Sequence, residues 1–478
     1  MNWGFWVEIV NVVLLGYTIA LVSFYFYLAI VSVAETKVYL RKGMFTDYTS
    51  ILASPLAPSV SIIAPAYNEG LTIIDNIKSL TNIHYANYEV LVINDGSTDD
   101  SMEKLIAAYQ LEKIPYAIHQ IIPTSKVLGV YKSTLPTYQN LLVVDKENGG
   151  KADALNVGLN VSRSDYVACI DVDCILEPDA LLKMVKPFLE GGDKKVIATG
   201  GVVRIANNCK VISGRIAEIN MPKKMLPRFQ VLEYVRSFML GRMAWSKLNG
   251  LLIISGAFGM FDRKIAVEAG GYNTKTVGED MEIVVRCRRM MHDRKIPYKV
   301  AYIPDPLCWT EVPSDLKSLL KQRNRWARGT AETLWIHRKM FFNSNYGQLG
   351  WLSMPFWFLF EWLAPIIEFF GVCYFLVLWY LGAINWIVAL SLLLGVFGFS
   401  LMYSLATIYF EERVYHQYQK RSDFLKLVVL SFVEFFMFHP FIVLGSILGN
   451  FDLIRGKKGW GQAKRVGFLH QTKDPVTN

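Results

Sequence analysis

Two strongly apolar regions enclose a mixed region in this chain of 478 residues. The first, residues 5–34, is interrupted by Glu8 and Asn11 and is long enough to cross a bilayer as a helix. The second, residues 349–450, contains three apolar segments, near 351–381, 384–410 and 424–449. Residues 55–340 have the composition of an ordinary soluble domain. The pattern predicts a soluble domain held by membrane segments at both ends.

Apolar strands and helices alternate through the middle region. The predicted strands are 60–65, 88–93 and 166–170. The predicted helices are 71–80, 101–110, 152–159, 179–189 and 281–290. Strands that alternate with helices are typical of an α/β domain with a mostly parallel sheet. Ligands bind where the strands of such a sheet end, and each predicted strand leads directly into an acidic or turn-forming cluster.

The net charge of +9 bears on both topology and partners. Lys37, Arg41 and Lys42 follow the first apolar run, whereas no lysine or arginine precedes it. The positive-inside rule therefore places the N-terminus outside and residue 37 onward in the cytoplasm. Basic residues of the middle region are interleaved with acids, so we expect the lipid bilayer, and no nucleic acid, as the partner of the basic residues.

Two acidic clusters follow predicted strands. Asp95 lies in Asn94-Asp-Gly-Ser97, which favours a tight turn but also places an acid where it can accept hydrogen bonds from a base or a ribose. Asp171 and Asp173 directly follow the third strand. Carboxylates at i and i+2 lie on one face of an extended chain. Together with phosphates, such a pair is suited to hold a hard divalent cation such as Mg²⁺.

A third acidic cluster, Gly278-Glu279-Asp280, precedes the predicted helix 281–290. In the simplest interpretation Asp280 caps this helix. The same position lowers the pKa of a carboxylate through the helix dipole. An ionised carboxylate within reach of an acceptor hydroxyl is what a general base requires. Both interpretations remain open from the residues alone.

Gln322, Arg325 and Trp326 are spaced i, i+3 and i+4, so they share one face of a helix. On that face the arginine is suited to bind a diphosphate, and the tryptophan offers a flat surface to a sugar or a base. The alternative is an interfacial helix with these side chains among lipid headgroups.

Lys151 ends the segment Lys146-Glu-Asn-Gly-Gly-Lys151, which looks like a phosphate-binding loop. The segment is not a Walker A motif, because no glycine stands at 145 and Ala152 follows the lysine. Lys151 therefore either helps to neutralise a diphosphate or belongs to a turn before the helix 152–159.

Taken together, these motifs resemble the processive branch of family-2 inverting glycosyltransferases, which includes cellulose, hyaluronan, chitin and poly-N-acetylglucosamine synthases. Their order and spacing match over residues 60–340. The matching segments are Pro65-Ala-Tyr-Asn-Glu69, Asn94-Asp-Gly-Ser97, Asn148-Gly-Gly-Lys151, Asp171-Val-Asp173, Gly278-Glu-Asp280 and Gln322-x-x-Arg325-Trp326. The resemblance implies a GT-A-like, Rossmann-like sheet domain flanked by transmembrane helices, a UDP-sugar donor and a glycan acceptor.

The resemblance also implies which residues meet the donor. Those expected to bind the nucleotide are Tyr67, Glu69, Asp95, Lys151, Asp171, Gln322, Arg325 and Trp460. Asp95 would contact the uracil, and Tyr67 would lie beside the base. Asp171 and Asp173 would hold the diphosphate and a Mg²⁺ or Mn²⁺ ion, with Asp173 as the main ligand.

On the acceptor side, the resemblance implies that Asp280 is the base that deprotonates the attacking hydroxyl. Glu279 and Trp326 would bind the acceptor. Residues 308–313, Cys-Trp-Thr-Glu-Val-Pro, are most similar to bacterial poly-N-acetylglucosamine synthases, which implies UDP-N-acetylglucosamine as the donor. The chain departs from the family pattern at Asn94, where many members carry aspartate, and at Gly278, where many carry threonine.

Two other functions fit parts of the pattern. One is a non-processive enzyme that loads a single sugar onto a polyprenyl phosphate, and the motif at 322–326 argues against it. The other is a membrane scaffold with an inactive transferase-like domain. The intact side chains of Asp171, Asp173, Asp280 and Arg325 argue against that alternative.

The C-terminal tail raises a question of topology. Trp460 lies in the basic segment 457–465 and resembles the gating loop of hyaluronan synthases; the alternative is a plain basic tail on anionic headgroups. The positive-inside rule places this tail in the cytoplasm, whereas three full crossings after residue 340 would place it outside. We therefore expect 351–365, interrupted by prolines, or 424–449, interrupted by His439-Pro440, not to cross completely.

The resulting organisation is a multi-pass protein of the cell membrane with a cytoplasmic catalytic domain and, in an export system, accessory subunits. The predicted segments are a transmembrane helix at 1–36, a linker at 37–59, the glycosyltransferase domain at 60–340, transmembrane and interfacial helices at 341–450, and the basic tail at 451–478.

Overall fold

The structure is a computed structural model that describes residues 3–43, 48–54, 56–190, 192–418 and 420–457. These residues form two compact units. The sheet unit contains the described residues of 41–222 and 251–312. The helical unit contains those of 3–40, 223–250 and 313–457.

The strands of the described residues all belong to the sheet unit. In chain order they are β1 (Val60–Ala66), β2 (Tyr88–Asp95), β3 (Leu111–Ile114), β4 (Val127–Ser133), β5 (Leu141–Lys146), β6 (Tyr166–Ile170), β7 (Ile175–Leu176), β8 (Lys195–Ile205), β9 (Lys210–Ile212), β10 (Arg215–Glu218), β11 (Phe258–Asp262) and β12 (Tyr298–Thr310).

The helices are numbered in chain order through both units. They are α1 (Trp3–Gly43), α2 (Tyr48–Ala53), α3 (Ile73–Thr81), α4 (Ser101–Tyr109), α5 (Lys151–Val161), α6 (Ala180–Leu189), α7 (Met225–Arg236), α8 (Arg242–Lys247), α9 (Arg263–Glu268), α10 (Glu279–Asp293), α11 (Leu316–Ile336), α12 (Met354–Phe356), α13 (Ala364–Tyr380), α14 (Trp386–Val414), α15 (Arg421–Met437) and α16 (His439–Ile454).

The sheet unit is built on a ten-stranded sheet of order β3-β4-β5-β2-β1-β6-β11-β8-β12-β7. Strands β5, β2, β1 and β6 are neighbours and run parallel, and β8 pairs in parallel with β12. Strands β4, β7 and β11 run antiparallel to the rest. The predicted α/β fold with a mostly parallel sheet is confirmed.

Strands β1, β2 and β6 could be predicted from the sequence because they lie in the parallel centre of the sheet. Strand β1 is buried along almost its whole length, as is the second half of β2. Strands covered on both faces read as continuous apolar runs, which is how 60–65, 88–93 and 166–170 were predicted. Each prediction is confirmed within two residues. Because the four parallel strands end on one edge, the loops that follow them lie together there.

Several strands were missed by the sequence analysis. Strand β12 contains Pro304 and Pro306, which argue against a central strand because proline donates no ladder hydrogen bond. The structure accommodates them through register shifts, between Ile303 and Pro306 and again between Pro306 and Cys308. Strand β5, with the apolar run Leu141–Val144, had a readable signal that the sequence analysis did not use.

In the helical unit, three helical stretches of the described residues are long and apolar enough to cross a membrane. They are Gly4–Gly43, Leu349–Tyr380 and Trp386–Val414. A fourth candidate, α15 followed by α16, bends by 45° at the break between the two helices. The first stretch continues well past the apolar run 5–34, because the basic residues 37–42 extend the same helix.

The expectation that prolines interrupt the helix at 351–365 is wrong. Helical structure runs from Leu349 to Tyr380. Pro355 and Pro365 each stand in the first turn of an α-helical segment, α12 and α13, and each segment follows a π-helical turn. A proline is accommodated at these positions because the preceding π-helical turn already departs from the i→i−4 hydrogen-bond ladder. The break at His439-Pro440 is observed.

Helix α16 packs closely along α11 within the helical unit. A Cβ atom at Gly445 would lie 2.6 Å from the Cβ of Arg323, and one at Gly449 would lie 2.5 Å from the carbonyl oxygen of Asn324. The two glycines stand four residues apart, so they form one small-residue face that admits the backbone of the neighbouring helix.

Candidate active site

The carboxyl end of β6 leads into the turn that carries Asp171 and Asp173. The N–H of Asp171 donates to the carbonyl of Ala257 at 3.1 Å, and the N–H of Cys174 donates to the carbonyl of Asp171 at 3.0 Å. The two acids therefore lie on a tight turn. The expectation that they lie on an extended chain is wrong, because β6 ends at Ile170, one residue before the motif.

Lys151 lies at the centre of the acidic cluster. Its ammonium forms an ion pair with Asp171, lies 3.5 Å from Oε1 of Glu279, and donates to the carbonyl of Gly256 at 3.4 Å. Lys151 is the first residue of α5, directly after Gly150, whose φ of +86° is readily adopted by glycine. Lys151 therefore follows a turn and also places its charge in the acidic cluster. The two interpretations of this residue, part of a turn or a cation for a diphosphate, are thus compatible.

Burial alone would lower the pKa of the Lys151 ammonium, but Asp171 and Glu279 outweigh this effect and raise the pKa above its ordinary value. The opposite charges favour the protonated form. Lys151 is therefore a permanent cation at physiological pH, and the site holds one fixed positive charge among several carboxylates.

Asp280 lies in the first turn of α10, not before it as predicted. The N-cap position is Gly278, and three acids fill the first turn: Glu279, Asp280 and Glu282. Negative charge there is stabilised by the helix dipole, which is why the helix begins two residues earlier than the apolar pattern indicated. The backbone of Gly256 closely approaches this acid, since a Cβ at 256 would lie 2.5 Å from Oδ2 of Asp280.

A pocket in the sheet unit joins these groups. Its lining residues come from α5, β6, the loop before β11, β11 itself, the loop between α9 and α10, and α10: Lys151, Leu155, Cys169, Ile170, Ser255, Gly256, Gly259, Phe261, Tyr272, Glu279 and Asp280. The structure thus brings together three of the residues predicted from the sequence, Lys151, Glu279 and Asp280, and Asp171 joins them through its ion pair with Lys151. The Ser255-Gly256 loop was not predicted to be part of the site. Its indication in the sequence was the small residues just before a buried strand.

Asp95 is buried beneath the loop that leads to Lys151. Its carboxylate pairs with the Lys146 ammonium and accepts from the N–H groups of Gly149 and Gly150, at 2.9 and 2.8 Å. The Asn148 amide adds a contact at 3.4 Å. Asp95 therefore holds the loop in place, and its expected contact with uracil stays a prediction.

Lys146 is a second buried cation that the sequence analysis did not explain. Its side chain has no exposed surface, and its ammonium lies between Asp95 and Asp153, 2.8 Å from the latter. Lys146 points inward, so it is not one of the groups of the loop that could meet a phosphate. The sequence did contain an acidic partner for Lys146 close by, since Asp153 stands in the first turn of α5.

Tyr67 and Glu69 lie on the loop after β1. The loop is tied to the one after β2: the N–H of Asn68 donates to Ser97 Oγ at 3.0 Å, and the N–H of Gly70 donates to Asp99 at 3.0 Å. Tyr67 is 39% exposed. Both side chains are at the carboxyl edge of the sheet, and their binding to a nucleotide stays a prediction.

The donor set fits a Mg²⁺ or Mn²⁺ ion that binds together with a diphosphate. Mg²⁺ is usually held by one or two carboxylates plus substrate phosphates. Asp171 and Asp173 supply that pair on one turn. Among the residues that the structure describes, no group of three or more His, Cys, Asp or Glu side chains is arranged to hold a metal ion. Asp171 and Asp173 therefore stay the predicted ligands of the ion.

Gln322, Arg325 and Trp326 lie on α11 of the helical unit, as the spacing predicted. Trp326 is 41% exposed, and its ring lies 4.2 Å from the guanidinium of Arg323. Arg323 itself is buried and forms two hydrogen bonds of 2.7 Å with Glu233 of α7. This ion pair was not foreseen. Trp460 lies outside the described residues.

Curated relatives match more than half of the chain. Poly-beta-1,6-N-acetyl-D-glucosamine synthase of Staphylococcus aureus (strain COL) is 29% identical over 276 residues, which cover 58% of this chain and 55% of the relative. The synthase of the same name from Staphylococcus epidermidis is 28% identical over the same share. The match spans about half the length of these relatives.

The comparison with solved structures found glycosyltransferases, each with a TM-score below 0.5. A mannosyltransferase from Pyrobaculum calidifontis, in complex with GDP-Man and Mn²⁺, has a TM-score of 0.48 and 18% identity, covering 93% of this chain and 100% of that one. Glucosyl-3-phosphoglycerate synthase from Mycobacterium tuberculosis has a TM-score of 0.35 and 18% identity, covering 60% of this chain and 82% of that one.

The family assignment rests on the sheet unit and its flanks. Residues 57–329, more than half of the chain, match the model described as glycosyltransferase like family 2. The match contains the segments on which the resemblance was based, from Pro65 to Trp326. The chain belongs to glycosyltransferase family 2 and is a glycosyltransferase.

Proposed function

We propose that this chain transfers N-acetylglucosamine from UDP-N-acetylglucosamine onto a growing polysaccharide, with inversion at the anomeric carbon. The observation that carries the proposal is the cluster of Lys151, Asp171, Glu279 and Asp280 at the carboxyl edge of the sheet. The choice of sugar is supported by the 29% identity to synthases of poly-beta-1,6-N-acetyl-D-glucosamine and by residues 308–313.

In the proposed reaction, Asp280 accepts the proton of the acceptor hydroxyl. The hydroxyl oxygen then forms the new bond to the anomeric carbon from the face opposite the departing UDP, which takes the electron pair of the old bond. Asp280 suits this role because its carboxylate is partly exposed at the pocket, in the first turn of α10.

Charge on the departing diphosphate is met by Lys151, whose ammonium lies at the same pocket. A bound Mg²⁺ or Mn²⁺ ion on Asp171 and Asp173 would supply further positive charge to the same oxygens. We also assign diphosphate and acceptor binding to Gln322, Arg325 and Trp326, on the basis of the family resemblance alone.

We further propose a multi-pass protein of the cell membrane with the sheet unit in the cytoplasm. Three candidate spans support the membrane part of this proposal. The position of the tail is inferred from the end of α16, which lies beside α11. Helix α11 precedes the candidate span Leu349–Tyr380. Asn324 donates to Asp452 at 2.9 Å, and Arg328 donates to the carbonyl of Lys457 at 2.8 Å. These contacts support a cytoplasmic position for residue 457.

The bent pair α15–α16 then enters the membrane and returns. Near the bend, His439 contacts Glu368 at 2.8 Å, and further along α16 the indole of Trp362 donates to Asn450 at 2.8 Å. As α16 advances from His439 to Asn450, its partners move backward along the span Leu349–Tyr380, so the helix runs toward the side from which that span starts. This return removes the conflict between the positive-inside rule and the number of crossings.

A donor panel tests the function. Purified full-length protein in detergent is incubated with Mg²⁺ or Mn²⁺ and separately with UDP-N-acetylglucosamine, UDP-glucose, UDP-glucuronate and UDP-galactose. We expect the most UDP release with the first donor, and a polymer of N-acetylglucosamine by mass spectrometry. Preferential turnover of UDP-glucose would refute the choice of sugar. A single sugar on a polyprenyl phosphate as the product would refute polymer synthesis.

A further inference from the structure

The ammonium of Lys151 is paired with one of the two carboxylates that we expect to bind the metal ion. Its ammonium forms an ion pair with Oδ1 of Asp171 and lies 3.5 Å from Oε1 of Glu279. About a third of the Asp171 side chain is exposed, whereas that of Glu279 is almost fully buried. The lysine therefore lies between an outer carboxylate, open to solvent, and an inner one, enclosed by the protein.

A divalent cation on Asp171 and a lysine ammonium on the same carboxylate repel each other. Like charges at contact distance are strongly disfavoured where water is partly excluded. The lysine must therefore leave Asp171, or lose much of its attraction to it, before the ion binds there. A diphosphate beside the site provides the alternative partner, because its oxygens attract the ammonium and complete the metal shell at the same time.

The backbone around Lys151 is held independently of this exchange. Gly149 and Gly150 donate their N–H groups to Asp95, and that carboxylate is fixed by Lys146. Movement is thereby restricted to the side chain of Lys151. Glu279, at the start of α10, remains within reach of the ammonium and keeps it in the site while its outer partner changes.

We propose that Lys151 is an internal counter-ion that occupies Asp171 in the nucleotide-free protein and makes divalent-metal binding depend on a nucleoside diphosphate. Glu279 is the positioning residue that retains the lysine. The inference rests on the proposed function, since it takes Asp171 and Asp173 as the metal ligands. It adds an order of binding: the metal enters with the nucleotide, not before it.

The test measures Mn²⁺ affinity directly, by electron paramagnetic resonance of the free ion, on the full-length protein in detergent with and without UDP. The variants are Lys151→Met and Glu279→Gln. The matched control is Lys183→Met, because Lys183 also pairs with two acids of the sheet unit, Asp179 at 2.8 Å and Asp305 at 3.5 Å. The readout is the ratio of the Kd without UDP to the Kd with UDP.

For Lys151→Met we expect the Kd for Mn²⁺ without UDP to fall at least ~10-fold, equivalent to removing about 1.4 kcal/mol of repulsion. The ratio of the two values falls with it. For Glu279→Gln we expect the ratio to rise at least ~3-fold, because the lysine loses its inner acidic partner and its pairing with Asp171 gains in importance. Lys183→Met should behave like the wild type.

Equal shifts with and without UDP would indicate a general charge effect and would overturn the proposal. So would a nucleotide-free Kd in Lys151→Met within threefold of the wild type. If Lys151→Met does not fold, the opposite shift predicted for Glu279→Gln decides the question. Failure of the proposed function has a different signature: the wild type then binds no Mn²⁺ even with UDP, or releases no UDP from any donor.

Discussion

Replacing Lys146 with methionine removes a buried charge while it keeps most of the side-chain volume. The ammonium of Lys146 has no exposed surface and lies between the carboxylates of Asp95 and Asp153, which are themselves almost fully buried. In Lys146→Met both carboxylates lose their cation. The hydrogen bonds from Gly149 and Gly150 to Asp95 remain possible, but they supply no positive charge to balance the carboxylate.

The expected loss is large because a buried carboxylate without its cation is strongly unfavourable. Removing one partner of a buried ion pair costs about 3–5 kcal/mol. For a domain of roughly 150–250 residues, each kcal/mol shifts the unfolding midpoint by about 2–4 °C. Lys146→Met should therefore lower the Tm of the sheet unit by roughly 6–20 °C.

The assay is thermal unfolding of the full-length protein in detergent, followed by a probe in the sheet unit, such as hydrogen exchange of peptides from β1, β2 and β5. The control is Lys195→Met. Lys195 pairs with Asp262 at 2.8 Å, but its side chain is 49% exposed, so its loss should cost at most about 1 kcal/mol. Adding Asp153→Asn to Lys146→Met should recover part of the loss, because it removes one of the two uncompensated charges. Equal Tm shifts for Lys146→Met and the Lys195→Met control would refute the reasoning.

Three further predictions concern chemistry and packing. Asp173→Asn should lower UDP release at least ~10²-fold through lost charge stabilisation, and full activity in excess chelator would contradict the metal site. Asp280→Asn should lower transfer by about 10²–10⁴-fold but leave the Kd for UDP within a few-fold of the wild type; an equal loss of UDP affinity would instead assign Asp280 to the donor. Gly449→Leu should separate α16 from α11 and lower both Tm and activity, since a Cβ there lies 2.5 Å from a backbone oxygen. Gly395→Leu, where a Cβ meets nothing within 4 Å, should be tolerated, and equal losses for the two would contradict the packing.

The centre of the fold was predictable because it is locally encoded. Strands β1, β2 and β6 are short apolar runs that end in turn-forming residues, and nothing in their sequence competes with that pattern. Strand β12 was not predictable in this way, since its prolines contradict a central strand. Only the bulged pairing with β8, which no local signal reveals, makes the two compatible.

The charged residues of the site show the same difference. Their positions in motifs can be recognised in the sequence, whereas their ion pairs form only in the folded chain. The family resemblance placed Lys151, Asp171, Glu279 and Asp280 in one site, whereas the residues alone showed only that each follows a strand or precedes a helix. The pairing of Lys151 with Asp171 and Glu279 is a property of the folded chain, in which α5, the turn after β6 and α10 meet. From the sequence, Lys151 was either a cation for a diphosphate or part of a turn, and neither acid was identified as its partner.

Helix α11 shows why a motif describes only part of what its helix does. Gln322, Arg325 and Trp326 define the family pattern, whereas the two residues between them are unspecified. The structure gives these two the structural contacts: Arg323 pairs with Glu233 of α7, and Asn324 donates to Asp452 beyond the face of α16 that carries Gly445 and Gly449. Because 3.6 residues complete a turn, positions 323 and 324 can face neighbouring helices while 322, 325 and 326 share another face. The same helix therefore presents motif residues on one side and is anchored on the other, so substitutions at Arg323 should reduce activity through the position of α11 and not through contact with substrate.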